Sequence, residues 1–216
     1  MKSIDNKLPF AREGLPFIIV PLALGIGAFL AGGAWLGIIL CGAGLFSAWF
    51  FRDPDRIPPS GDSGILSPAD GTVILVERVQ EDRFLNREMT KISIFMSIFN
   101  VHVNRAPVTG ALERVVYFPG KFFAANLDKA SRDNEHNVLI INGPGDSQMI
   151  VVQIAGLIAR RIVCWVKPGD RLIRGQRFGL IRFGSRLDVY LSPDIKPEVR
   201  LGQKVQAGLS VLGTLP

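Results

Sequence analysis

The sequence predicts a mainly β fold: a compact β barrel or sandwich of two similar halves, preceded by an N-terminal apolar helical hairpin. Three observations carry this reading. Short apolar runs bounded by turn residues dominate from residue 65 onward. A glycine-punctuated segment near the C-terminus occurs twice, about 33 residues apart. Residues 15–51 hold no charged side chain.

That uncharged stretch of about 37 residues accounts for much of the 48% hydrophobic content. It exceeds the roughly 20 residues one helix needs to cross a bilayer. Ala31-Gly32-Gly33 divides it into two apolar helices, 16–30 and 34–51, joined by a tight turn. Lys2, Lys7 and Arg12 precede the hairpin, and Arg52 and Arg56 follow it. This bias puts both ends, and the domain that follows, on the cytoplasmic side of the cell membrane. Trp49, Phe50 and Phe51 would then lie at the membrane interface. A shallow hairpin dipping into one leaflet remains an alternative, because the first half is short and contains Pro21. A signal peptide does not fit the length of the run or its missing cleavage site. On such a chain the net charge of +6 fits anionic lipid headgroups better than nucleic acid.

The organisation expected is a cytoplasmic segment 1–14, a membrane-anchoring hairpin 15–51, a linker 52–64 rich in proline and charge, and a β-rich catalytic domain 65–216. Strand-like runs cover residues 72–77, 91–98, 101–104, 110–117, 138–141, 149–154 and 161–166. The polar region 122–137 reads as a loop with one helical turn. The repeat aligns Gly169 with Gly202 and Gly175 with Gly208, each copy being strand, glycine turn, strand, glycine turn. The arrangement is similar to the lipoyl and biotinyl carrier fold, where a hairpin between two such halves carries a modified lysine. Here no lysine occupies that place, and Ser185 stands near it.

Gly184-Ser185 lies between the repeats, inside the β-patterned stretch 178–190. Alone it is a common turn dipeptide. In a strained bend, though, the serine hydroxyl can take the acyl group of the preceding glycine, and β-elimination of the resulting ester leaves a dehydroalanine that hydrolyses to a pyruvoyl group. Such chemistry needs a base, and the chain has two histidines, His102 and His136. His102 shares one face of an alternating strand with Asn104, whereas His136, in a polar run, is expected on a loop. Asp70, in Ser67-Pro68-Ala69-Asp70-Gly71, either makes a local turn or orients a histidine. Cys41 and Cys164 are isolated and have neither metal-ligand nor redox spacing.

An apolar N-terminal segment with Phe50-Phe51-Arg52-Asp53-Pro54, then Ser67-Pro68-Ala69-Asp70-Gly71, Asn100-Val101-His102-Val103-Asn104-Arg105-Ala106-Pro107 and Phe183-Gly184-Ser185-Arg186 resembles the phosphatidylserine decarboxylases. The resemblance spans nearly the whole chain and is closest to the short, archaeal-type branch. It implies a proenzyme cut between Gly184 and Ser185 into a β chain, 1–184, and an α chain, 185–216, that starts with a pyruvoyl cofactor derived from Ser185. It also implies a self-cleavage set of Ser185, His102 and Asp70, with a serine phospholipid whose amine forms a Schiff base with the pyruvoyl ketone. Arg105 and Arg186 are the candidates for holding the lipid phosphate. Longer members carry two histidines where this chain has His102, then Asn104 and Arg105, so whether His102 serves both processing and decarboxylation stays open. Metal and nucleic acid have no motif here, and nothing decides for or against a homo-oligomer. The rivals are a membrane-anchored, lipoyl-like adaptor without activity and a serine hydrolase. The hydrolase lacks its Gly-x-Ser-x-Gly elbow.

Overall fold

The computed structural model describes residues 8–123, 133–156, 161–182 and 185–215. It divides into two units, Lys2–Asp55 and Arg56–Pro216.

In the first unit, the uncharged stretch forms α1 (Leu15–Leu30) and α2 (Ala34–Phe50), and α1 follows directly on a single 3-10 turn, Arg12–Gly14. Pro16 sits in the first turn of α1, where a missing N–H costs no helical bond. Gly32 closes the hairpin at φ +83°, a conformation that favours glycine. The helices approach at glycines: a Cβ on Gly37 would stand 2.7 Å from the Phe29 ring, and one on Gly44 2.7 Å from Leu22. The large side chains point the other way, with Leu24, Ile26, Trp35, Leu36, Ile39 and Leu45 each more than half exposed. The helical run Arg12–Leu30 is long and apolar enough to cross a bilayer by length and composition, while Ala34–Phe50 is apolar but shorter. Of the three aromatics placed at the interface from sequence, only Trp49 is exposed. Phe50 and Phe51 are buried. Their rings meet edge to face at 5.0 Å, and Phe17 stacks on Phe51 at 5.7 Å.

Among its described residues the second unit is β apart from one 3-10 turn, Pro144–Asp146, and the single helical residue Asp133. Its main sheet contains β2 (Gly71–Glu81), β3 (Arg87–Met96), β5 (Gly110–Phe118), β6 (His136–Asn142), β7 (Gln148–Ala155), β9 (Arg171–Leu172), β11 (Ser185–Leu191) and β12 (Lys204–Val205). The order is β12-β2-β3-β11-β7-β6-β5-β9, and every pairing is antiparallel. The order is symmetric about the β11–β7 pair, so β12 answers β9 and β2 answers β5. Two small sheets complete the unit: β1 (Gly64–Leu66) with β13 (Val211–Thr214), and β10 (Arg177–Ile181) between β4 (Val103–Arg105) and β8 (Ile162–Cys164).

The repeat read from glycine spacing is present as geometry. Gly169, Gly175, Gly202 and Gly208 all have positive φ, between 73° and 89°. β9 and β12 occupy the same place in each copy and bracket the starts of β5 and β2. One face of the sheet presents Ile92, Ile94, Leu139, Val151, Leu187 and Val189 to the interior, all fully buried. The other packs Val138, Ile140, Ile150, Val152 and Ile154 beneath Phe84, Leu85 and Tyr190.

The expected loop over 122–137 needs correction at its C-terminal end, since its stretch 124–132 lies outside the described residues. His136 is not on a loop. It opens β6, buried, with its ring stacked on Phe118 at 4.7 Å and Nδ1 2.6 Å from the Asn134 carbonyl. The polar run is internally bonded, with Asn134 donating to the Phe123 and Ala155 carbonyls.

Candidate active site

Ser185 is the first residue of β11, opposite Met96 of β3 on one side and Ala155 of β7 on the other. Alternation along the strand turns Ser185, Leu187 and Val189 to the interior and Arg186, Asp188 and Tyr190 to the opposite face. Ser185 is fully buried, and its Oγ donates to the Met96 sulfur at 3.4 Å. Gly184 and Phe183 lie outside the described residues.

His102 immediately precedes β4 and is buried. Its carbonyl accepts from the Ile181 N–H at 3.4 Å, which ties it to the end of β10, four residues before Ser185. Nδ1 stands 3.0 Å from the Asn100 carbonyl. A carbonyl only accepts, so the neutral ring carries its proton on Nδ1 and its basic lone pair on Nε2. Asn100 is itself fixed, because its side-chain oxygen accepts from both the backbone N–H and the hydroxyl of Ser97.

Asp70 faces elsewhere. Its carboxylate takes the Arg56 guanidinium at 2.5 and 2.9 Å and accepts the Ala207 N–H at 2.8 Å. Arg56 also donates to the Ala207 carbonyl at 2.7 Å. Among the described residues, no hydrogen bond joins Asp70 to a histidine; the carboxylate knits the turn before β2 to the second glycine repeat. The two arginines considered for phosphate are both buried: Arg105 donates to the Gly175 carbonyl at 3.0 Å, and Arg186 is forked onto Asp188 at 2.8 and 3.0 Å.

Sequence reasoning missed a row of buried amides beside Ser185. Asn137 donates to Gln153 at 3.0 Å, Gln153 to Asn104 at 2.8 Å, and Asn104 to the Met96 sulfur at 3.9 Å. The signal was a lone glutamine in the otherwise apolar run 149–155. Burial raises the pKa of the neighbouring Cys164 thiol.

The family profile described as phosphatidylserine decarboxylase matches residues 43–213. The chain is 48% identical over 205 residues to the phosphatidylserine decarboxylase proenzyme of Syntrophus aciditrophicus, covering 94% of this chain and 96% of the relative. Proenzymes of the same name from Pelobacter propionicus and Ralstonia pickettii are 49% and 50% identical, each over 98% of this chain and 99% or more of their own. With such similarity spanning both the hairpin and the β unit, the chain belongs to the phosphatidylserine decarboxylase family.

Proposed function

We propose that this protein is a carboxy-lyase that removes carbon dioxide from phosphatidylserine, or a related serine phospholipid, to leave phosphatidylethanolamine, after cutting itself between Gly184 and Ser185. The observation that carries the reading is near-full-length similarity to decarboxylase proenzymes in a chain whose Ser185 heads a central strand. The inactive adaptor is disfavoured by the same similarity.

A pyruvoyl group made from Ser185 would supply a ketone as electron sink for the pair left behind by departing carbon dioxide. The surroundings fit such a group: residue 185 is fully buried, paired on both strand edges, and set against a thioether that would accept a methyl as readily as a hydroxyl. His102 takes the role of general base, its tautomer set by the Asn100 carbonyl. Asp70 acts at a distance by holding Arg56 and the Ala207 turn, and is not the group that orients the histidine. The hairpin, glycines inward and large apolar side chains outward, anchors the enzyme in the membrane that carries its substrate. Its flanking lysines and arginines favour a cytoplasmic side for the β unit.

Intact-mass analysis tests the reading. The expected result is two chains of roughly 20 and 3.5 kDa, from about 110 Da per residue, the smaller blocked by pyruvoyl, while Ser185→Ala stays whole. The processed protein should release carbon dioxide from phosphatidylserine vesicles. A single full-length mass for the wild type, inert toward that lipid, would sink the proposal.

A further inference from the structure

Three side-chain amides, Asn137, Gln153 and Asn104, run in file through the interior to the sulfur on which Ser185 rests. Asn104 and Gln153 are fully buried and Asn137 nearly so. Burying three amides is unfavourable unless each is bonded, and a leucine would fill the same space without that demand. Their mutual bonds also give the row a direction. A thioether accepts but cannot donate, so the amide facing Met96 must present its NH2. Asn104 therefore offers Oδ1 to Gln153, and Gln153 offers Oε1 to Asn137.

The row ends where the reacting side chain sits. The Met96 sulfur receives Ser185 Oγ from β11 and Asn104 Nδ2 from β4. A thioether is a weak acceptor, so neither donor is held hard in the resting state. We propose that Asn104 is the N–H donor that assists rupture of the Ser185 Cβ–Oγ bond during self-processing, with Gln153 and Asn137 as positioning residues that keep its NH2 turned toward residue 185. This inference rests on the self-cleavage reading above. In that step the ester between the Gly184 carbonyl carbon and Oγ loses the Ser185 Cα proton to a base. The released pair forms the Cα=Cβ double bond, the Cβ–Oγ bond breaks, and its pair departs on Oγ as the Gly184 carboxylate. Negative charge thus grows on Oγ in a site closed to water, where a fixed donor stabilises it most. The Met96 sulfur has no proton to give.

The test uses the full-length chain with Asn104→Leu and, as a volume-conserving second variant, Gln153→Met. Asn104→Leu should slow appearance of the pyruvoyl-blocked small chain by roughly a hundredfold, the scale of losing one such donor. Gln153→Met should slow it less. In both, the ester should accumulate. Hydroxylamine at neutral pH should then split the full-length species into a 1–184 hydroxamate and a small chain beginning with unmodified Ser185, both identifiable by mass. Processing at wild-type speed in both variants overturns the inference. So does slow processing without any hydroxylamine-sensitive ester, which would mark a merely structural role. Wild-type protein that stays one chain defeats the self-cleavage reading itself, whereas processed wild type beside unaffected variants defeats this inference alone.

Discussion

Replacing Asp70 with asparagine separates two roles for that carboxylate. The Arg56 and Asp70 side chains are only 9% and 10% exposed, and their fork is tied to Ala207, whose N–H donates to Asp70 and whose carbonyl accepts from Arg56. Asparagine retains an oxygen for the Ala207 N–H but removes the charge and one acceptor for the guanidinium. Breaking a buried ion pair from one side costs about 3–5 kcal/mol, because the remaining charge is left uncompensated. Arg56 keeps the Ala207 carbonyl, so the lower end of that range, about 3 kcal/mol, is expected. At about 2–4 °C per kcal/mol for a domain of this size, the midpoint should fall by roughly 6–12 °C. Thermal unfolding is best followed in a Ser185→Ala background, where every chain is uncut. Arg56→Met/Asp70→Asn should be less destabilised than the two single changes added together. A loss below about 1 kcal/mol, the range of exposed pairs, would refute the argument. Abolished processing at an unchanged midpoint would instead restore a direct Asp70–His102 partnership.

Two further outcomes follow from the fold. Burial, with help from Arg83, lowers the His136 pKa against the opposing pull of the Asn134 carbonyl. The unfolded chain therefore binds a proton first as pH falls below about 6.5, and stability present above that value is lost as pH drops toward the lowered folded value. Urea midpoints at pH 7.5 and 5.5 should diverge more for wild type than for His136→Gln; equal divergence would remove His136 from the acid response. Gly175→Ala should destabilise more than Gly202→Ala. Both have φ near +80°, which costs an alanine about 1–2 kcal/mol, but only at Gly175 does the new Cβ meet an atom of another residue, Pro58 Cγ at 2.5 Å. Equal midpoints for the two variants would contradict this.

Much of this architecture was legible because it is written in periodicity and punctuation. The hairpin ends fall within a residue or so of the uncharged stretch, since charge and Gly32-Gly33 mark them directly. The glycine repeat was readable because positive φ at four positions demands the same residue each time. Strands of two or three residues such as β1, β9 and β12 were not, being too short for alternation to show. His136 was misplaced because a run of Asp, Asn, Glu and His looks solvated, and only the fold supplies Phe118 to cover the ring. Asp70 found Arg56 and Ala207, the latter 137 positions away. Partners so distant leave no local trace.

The pairing of β11 on both edges changes what kind of object a cut chain would be. Residues 185–215 contribute β11 between β3 and β7, β12 against β2, and β13 against β1. A break before Ser185 therefore releases nothing: the short piece stays woven into four strand pairings with the long one. The uncut precursor folds as a single molecule, with its ladder-forming segments tethered to one another. A cut protein, once melted, would have to find its missing strand from solution, so refolding becomes a second-order event that slows with dilution. The lifetime of such a cut protein would then be governed by how fast it unfolds, not by the equilibrium that guided the uncut chain.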